Sequence, residues 1–515
     1  MGNGDEQDEV IGFLSDPRNY GPEVHSVERH ETHGAIVFLA GERAYKLKRA
    51  VRFPYMDYST VDLRRQMCAQ ELVVNRRTAP KLYLEVRPII RDGGVLRFGS
   101  EIESDRSVDS VVVMQRFDQS ALLENLRRSG GLTPQLMRLV AEAVASFHAE
   151  AEVKRDFGKE ADISAAIEGN AAMLKLTLGR PFLAERIAQY ESMARRVLSR
   201  IAQLLGQRRQ NGHVRRCHGD LHLNNILVLD GRPVLFDAIE FNDRFACIDV
   251  LYDLAFLLMD LDQHGLREHA NIAFNRYLEL SGEHAGLAAM PLFLSCRAAV
   301  RAHTTVAAAE IRKEDNVRGR LMRDAAALLD RAVDYLADSA PRLIAIGGLS
   351  GTGKSTLAHA LSPLLGASPG AVVIRSDVIR KRLLGVADSV RLPESAYTRS
   401  IGKRVYERIA DIASDTLASG YTAIADAVYG TENARQEIAE TALRHGAKFD
   451  GLWLEGPPAL LENRIVTRRS DASDATPDVL RAQLGFVTVP QTWSPINAAI
   501  SVGETLAQAR RIVGC

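Results

Sequence analysis

The chain has 515 residues, 46% of them hydrophobic, with 65 Lys and Arg balanced by 65 Asp and Glu. At about 100–200 residues per domain, that length excludes a single core, and zero net charge excludes a global attraction to nucleic acid or an anionic membrane. Five cysteines, Cys68, Cys217, Cys247, Cys296 and Cys515, form no CxxC pair, the usage of a reducing cytosol. The start MGNGDEQDEV is acidic and has no apolar stretch, and MGNGDE has no Ser or Thr at its sixth position for myristoylation. The nearest approach to a membrane span, around Leu254–Met259, is interrupted by acids. The expectation is a cytoplasmic protein with no membrane partner.

In chain order, residues 24–49 alternate apolar and polar with turn signals at Gly34 and Gly41, predicting a small antiparallel sheet. A helix is expected over Leu63–Thr78, then strands in KLYLEVRPII and SVVVMQRF. From about Gln119 long Ala/Leu/Arg helices follow, broken by short strands and loops between His213 and Asp237. This order predicts an α+β bilobal kinase-like domain over residues 1–338, with a small lobe at about 24–118 and a helical lobe at about 119–338. SAPR at 339–342 ends the helical pattern, and RLIAIGG starts a buried strand. Four more candidate strands, AVVIRSD, TAIADAVY, FDGLWLEG and INAAISV, alternate with helical stretches. Residues 339–515 therefore read as an α/β P-loop domain with a doubly wound parallel sheet.

Two phosphate-handling motifs lie in these halves. CHGDLHLNNIL, from Cys217, holds Asp220 and Asn225 five residues apart, the spacing of a base and a metal-binding amide in a phosphoryl-transfer loop. VLFD ends a hydrophobic strand on Asp237 twelve residues later. GLSGTGKS, from Gly348 to Ser355, fits the P-loop pattern. There Gly348, Gly351 and Gly353 permit close backbone approach, and Ser350, Thr352 and Thr356 lie along the same turn. Lys354 neutralises phosphate charge and Ser355 ligates Mg²⁺. The second strand is expected to end in Ser376 and Asp377, and Asp377 forms a D-x-x-R with Arg380, placed for a base and a substrate-holding cation, or else a helix N-cap with a solvated arginine. Asp426 ends the strand TAIAD, either as a Mg²⁺-directed acid or as a turn aspartate. Arg464 and Arg468, four apart with Arg469 beside them, suit either a lid over the triphosphate or a solvated helix face.

CHGDLHLNNIL resembles the catalytic loop of aminoglycoside and choline phosphotransferases. The resemblance implies Asp220 as base, Asn225 and Asp237 as Mg²⁺ ligands, and Asp253 as a structural brace. It also implies a strand lysine paired with a helix glutamate to hold the ATP phosphates. Lys46 is favoured, Lys48 is close behind, and Glu71 is the partner. Ala238-Ile239-Glu240 after Asp237 departs from the Phe-Gly of protein kinases, and HETHGAIVF holds one glycine where those kinases have a glycine-rich loop. The second half resembles small P-loop kinases: gluconate kinases, zeta-toxin-like kinases, chloramphenicol phosphotransferases and the kinase domain of phage polynucleotide kinase. That resemblance implies Asp377 as base. The whole is similar to a bacterial fusion of an aminoglycoside-phosphotransferase-like domain with an AAA-type ATP-binding domain.

The functional expectation is a bifunctional kinase using ATP and Mg²⁺ at two sites to phosphorylate small hydroxylated molecules. One alternative is a nucleotide-binding sensor whose N-terminal half is inactive. Another is a polynucleotide 5′-hydroxyl kinase, disfavoured by neutral charge and by the lack of aromatics interleaved with basic patches. Arg195, Arg196, Arg297 and Arg301 in the helical lobe argue against a polycationic antibiotic and for a neutral or anionic substrate.

Overall fold

The computed structural model describes residues 3–515 except 54, 179–180, 311, 313, 388–389 and 468–473. It divides into two compact units: Met1–Asp162 with Gly206–Leu257, and Ile163–Leu205 with Leu258–Cys515.

The first unit begins with a helix, Asn3–Ser15, that the acidic start concealed. Val10 and Leu14 drive it onto the sheet, where they are buried with Ile36, Phe38, Leu47 and Val113. The sheet strands are β1 (Val27–Glu31), β2 (Ala35–Ala40) and β3 (Arg43–Lys48); a small ribbon of β4 (Arg52–Phe53) and β5 (Met56–Asp57) follows. Next come β6 (Tyr83–Asp92), β7 (Val95–Phe98) and β8 (Ser107–Gln115). The six-stranded order β1-β2-β3-β8-β6-β7 is antiparallel throughout.

Side chains alternate across a strand. Along β3, Tyr45 and Leu47 join the core under the N-terminal helix, while Ala44 joins the opposite core. Lys46 and Lys48 share the Ala44 face, and there they meet Glu71 on the helix Val61–Arg76. That helix starts on Thr60, whose hydroxyl accepts the Leu63 N–H at 3.3 Å. Further on, β9 (Val214–Arg216) pairs with β12 (Cys247–Asp249), and β10 (Ile226–Leu229) forms a hairpin with β11 (Arg232–Leu235).

In the second unit, β13 (Arg342–Gly348), β14 (Val372–Arg375), β15 (Ala423–Asp426), β16 (Lys448–Glu455) and β17 (Ser494–Asn497) form a parallel sheet in the order β14-β15-β13-β16-β17. Two sequence expectations shift. INAAISV stays in the strand only to Asn497, because Ser501 caps a new helix, Val502–Val513, in a capping box with Glu504. The strand expected to end at Asp377 ends at Arg375, and Ser376–Leu383 is a helix with Asp377 in its first turn.

β14 is an edge strand, and its backbone is met by side chains of the helix Arg267–Ser281. Asn275 Oδ1 accepts the Val373 N–H at 2.7 Å, while Nδ2 of Asn275 and of Asn271 donate to the Ala371 carbonyl at 3.1 and 3.2 Å. Both asparagines are buried. They replace a neighbouring strand, covering an edge that would otherwise invite pairing. Residues Glu283–Glu310 are long and apolar enough to cross a membrane, beyond the Leu254–Met259 stretch singled out from sequence, but 72% of that window is buried inside the protein.

Asn275→Ala removes a donor and an acceptor from buried backbone partners, so we expect a loss of about 1–3 kcal/mol in denaturant unfolding. Burial pushes His284 and His303 from 6.5 down to about 4 each. Between those values the unfolded chain binds more protons than the folded one. Stability should therefore be complete above about pH 6.5 and fall as pH drops toward 4, as thermal melts across that range will read.

Candidate active sites

The first cluster is built around the turn His218–Asp220. Asp253, fully buried, accepts the Gly219 N–H at 2.8 Å on one oxygen and the His218 N–H at 3.0 Å on the other. His148 Nε2 lies 3.1 Å from that second oxygen. Asp253 thus holds the loop backbone, the bracing position expected of it. His218 donates from Nε2 to the Phe236 carbonyl at 2.8 Å, and its Nδ1 accepts the Asp220 N–H at 3.3 Å. Burial pushes this histidine down, so the neutral ring that makes both bonds is favoured. His148, Cys217 and Asp253 bring ligand-type atoms within 4.8 Å of one another. Both Asp253 oxygens already accept N–H donors, and burial pushes the Cys217 thiol up, opposite to the thiolate a metal needs.

The β10–β11 hairpin returns the chain so that Phe236 N–H donates to the Asn225 carbonyl at 3.0 Å, setting Asp237 beside the loop. Asn225 Nδ2 donates to the Asp220 carboxylate at 3.0 Å and to its carbonyl at 2.9 Å. His222 Nε2 stands 3.3 Å from the same carboxylate. Asp237 has φ +61°, a left-handed conformation rare outside glycine. It is held there by its N–H on the Tyr83 hydroxyl at 3.1 Å and by Asn75 Oδ1 on the next N–H at 2.7 Å.

Lys46 Nζ reaches Glu71 Oε1 at 2.8 Å and Asp237 Oδ1 at 2.5 Å. Lys48 Nζ reaches Glu71 Oε2 at 2.6 Å and also pairs with Glu240, which accepts the Tyr58 hydroxyl at 2.7 Å. The two lysines hold the Glu71 carboxyl below its usual range despite complete burial, and the acids hold both ammonium groups far above theirs. The side chain of Lys46 is 16% exposed and that of Lys48 only 2%. Only Lys46 touches Asp237, so the geometry separates two lysines that the sequence left side by side. At the tip of the β1–β2 hairpin, His33 is pushed down by burial and drawn back up by the Asp220 charge.

The second cluster sits at the ends of the parallel strands, the usual ligand position in open α/β sheets. Gly348, Gly351 and Gly353 have φ +137°, +85° and +89°. A Cβ on Gly348 would lie 2.6 Å from the Leu454 carbonyl oxygen, and one on Gly351 2.6 Å from that of Leu461. Thr352 is buried, its hydroxyl donating to the Leu349 carbonyl at 2.8 Å, which fixes the turn. Lys354 Nζ donates to the same carbonyl at 3.0 Å. The Ser355 hydroxyl donates to Asp426 at 2.5 Å, so the strand-end acid and the P-loop serine are in direct contact. Burial pushes the Asp426 carboxyl up, while Lys354 and Arg375 pull it back.

Sequence reasoning missed two residues here. Arg375, at the end of β14 in register with Asp426, donates to Ser355 Oγ at 3.4 Å. Gln483, on the helix Pro477–Phe486, accepts the Ser350 N–H at 2.8 Å. The first is visible as a charge closing an otherwise apolar strand; the second has no sequence signal. Thr356 is exposed on the first turn after the loop. Asp377 has no hydrogen-bond or ion-pair partner among the described residues. Arg380 donates to the Ala396 carbonyl at 3.1 Å and lies 4.8 Å from the Tyr397 ring centroid. Arg464 is half-buried on the helix Pro458–Thr467, and Arg468, with Arg469, lies outside the described residues.

Both clusters suit a hard divalent cation. Asn225 donates through its nitrogen, leaving its amide oxygen available, and the Asp237 side chain is 42% exposed. Ser355 and Asp426 likewise present oxygen donors only. Gly219 has φ +85°, and a Cβ there would stand 2.8 Å from the Phe245 carbonyl oxygen. Gly219→Ala should therefore cost about 1–3 kcal/mol of stability in urea unfolding. An unchanged midpoint would contradict the packing described.

Residues 85–293 match the phosphotransferase enzyme family and residues 343–490 match the AAA domain family. An uncharacterized protein of Mycobacterium tuberculosis H37Rv is 28% identical over 498 residues, covering 94% of this chain and 95% of that one. An uncharacterized protein of Mycobacterium bovis matches to the same extent. Solved structures similar to parts of the chain include a choline/ethanolamine kinase family protein from Mesorhizobium loti, with 16% identity over 64% of this chain and 99% of that one, at a TM-score of 0.37. A gluconokinase from Sinorhizobium meliloti covers 34% of this chain and 96% of its own, with 18% identity and a TM-score of 0.26. The chain joins a domain of the phosphotransferase enzyme family to a P-loop domain of the AAA kind.

Proposed function

We propose that the protein is a bifunctional cytoplasmic kinase, dependent on ATP and Mg²⁺, whose halves meet at about residue 338 and each transfer a γ-phosphate to a hydroxyl of a small molecule. The observation that carries the reading is the convergence of Lys46, Asp237, Asn225 and Asp220 in one half and of Lys354, Ser355 and Asp426 in the other. Each set holds a phosphate-binding cation and the oxygen donors of a divalent metal; Asp220, and Asp377, which has no partner among the described residues, supply a candidate base to each half.

In the first half, Asp220 takes the proton of the acceptor hydroxyl as that oxygen bonds to the γ-phosphorus. The bond from phosphorus to the β–γ bridging oxygen breaks, and its electron pair leaves with ADP. His222 and Asn225 keep the Asp220 carboxylate aimed, and Lys46 turns from Asp237 toward the α/β-phosphates with Glu71 still holding it. Lys48 stays with Glu71 and Glu240 as a structural cation. Mg²⁺ held by Asn225 and Asp237 would neutralise phosphate charge and align the transfer. In the second half, Lys354 exchanges the Leu349 carbonyl for phosphate oxygens, Ser355 and Asp426 would hold Mg²⁺, and Asp377 is the base with Arg380 on the substrate. Arg464 and Arg468 are assigned to the lid. Positioning and charge stabilisation supply most of the rate, because the reaction asks little covalent chemistry of the protein.

The test is a γ-phosphate transfer screen over sugars, sugar acids, nucleosides and aminoglycosides with wild type, Asp220→Asn and Lys354→Ala. Each variant should lose one set of transfers by about 10²–10⁴-fold and keep the other. Transfer untouched by both substitutions would sink the assignment. Full activity in Asp220→Asn with normal ATP binding would instead favour a regulatory N-terminal half.

A further inference from the structure

Within the second unit, a cavity of about 130 Å³ lies among β14, the helices Ser376–Leu383 and Arg399–Ala418, the helix Arg267–Ser281 and the turn Glu283–Ala289. None of the P-loop residues 348–355 lines it. Its walls are mostly apolar, and its polar lining is Glu279, His284, Arg375, Arg382 and Arg408, of which Arg375 is the strand-end residue that also meets Ser355. Glu279 and His284 contribute side chains about nine-tenths buried, and each has an atom with no hydrogen-bond partner: Oε1 of Glu279 and Nδ1 of His284. The other Glu279 oxygen is taken by Arg276 at 3.1 Å. Arg382 and Arg408 are exposed residues of the same lining. Their charges reach His284 and, after burial, help push it down to about 4, so the ring is neutral at physiological pH.

Proteins leave few buried polar atoms unmet, and those that stay unmet call for a water or a ligand. Here two unmet atoms able to accept hydrogen bonds lie in a cavity that three arginines also line, Arg375 buried and Arg382 and Arg408 exposed. Arg382 already donates to the Glu279 carbonyl at 3.4 Å, which sets the two kinds of group side by side. A ligand complementary to both carries an anionic group for Arg382 and Arg408 and a hydrogen-bond donor for Glu279 and His284. The space equals about four liquid waters, which admits about six non-hydrogen atoms. We infer that this cavity binds a small carboxylate bearing a hydroxyl or ammonium group on the neighbouring carbon. The occupant would brace the helix Ser376–Leu383, whose Val378 and Ile379 line the cavity and whose first turn holds Asp377.

The test titrates the full chain calorimetrically with L-alanine, L-lactate and propionate, which share a carbon skeleton and differ at one substituent. L-alanine or L-lactate should bind at least about tenfold tighter than propionate, and the better of the two identifies the donor as ammonium or hydroxyl. Arg408→Gln, an exposed change, and Glu279→Gln should each weaken that binding about tenfold, while Lys354→Ala leaves it unchanged. Bound ligand should also slow hydrogen exchange over residues 376–383. The inference is overturned by no saturable binding of any of the three acids, by propionate binding as tightly as the others, by Arg408→Gln without effect, or by loss of binding in Lys354→Ala.

Discussion

Glu71 is a carboxylate with no solvent exposure that remains charged because two ammonium groups reach its two oxygens, at 2.8 and 2.6 Å. An isolated buried charge would cost several kcal/mol. Here the compensation is a chain of alternating signs, Asp237, Lys46, Glu71, Lys48 and Glu240, linking sheet, helix and the segment after β11. Removing any interior member strands its neighbours, so the joint between sheet, helix and loop depends on that chain. Lys46 differs from Lys48 because its far partner, Asp237, is partly exposed and can exchange one anion for another.

The P-loop half solves the same electrostatic problem with backbone. Three glycines turn the backbone at positive φ, two of them, Gly348 and Gly351, against carbonyls closer than any side chain would allow, and the buried Asp426 is met by Ser355 and Arg375. Lys354 and the Ser350 N–H are both engaged, by the Leu349 carbonyl and Gln483. A phosphate would replace neutral oxygens there, a favourable exchange for a cation and an oriented amide.

Much of this was legible because it rests on short-range rules. The period-two pattern of RAYKLK put Lys46 and Lys48 on one face, and the strand–turn–helix context of GLSGTGKS fixed the second site. What escaped the sequence was set by tertiary partners. Glu240 reads as a loop acid until Lys48 is seen beneath it, and Gln483 lies 133 positions from the amide it meets. The N-terminal helix was hidden behind its acidic start, yet Val10 and Leu14, with Ile11 and Phe13 packed beside them and Gln7 bonded to Lys48 and Asp109, dock it on the sheet. INAAISV was misread because apolar residues continue past Asn497 while the Ser501–Glu504 capping box starts a helix. The β14 edge gave no signal either, since asparagines inside a helix usually read as indifferent helix formers.

The central claim is that one chain holds two independent nucleotide sites. Equilibrium binding of a non-hydrolysable ATP analogue with Mg²⁺ counts them directly. Two sites per wild-type chain are expected, one lost in Lys46→Met, the other lost in Lys354→Ala, and none left in the double variant. A single site per wild-type chain, or two sites that both survive Lys46→Met, would contradict it.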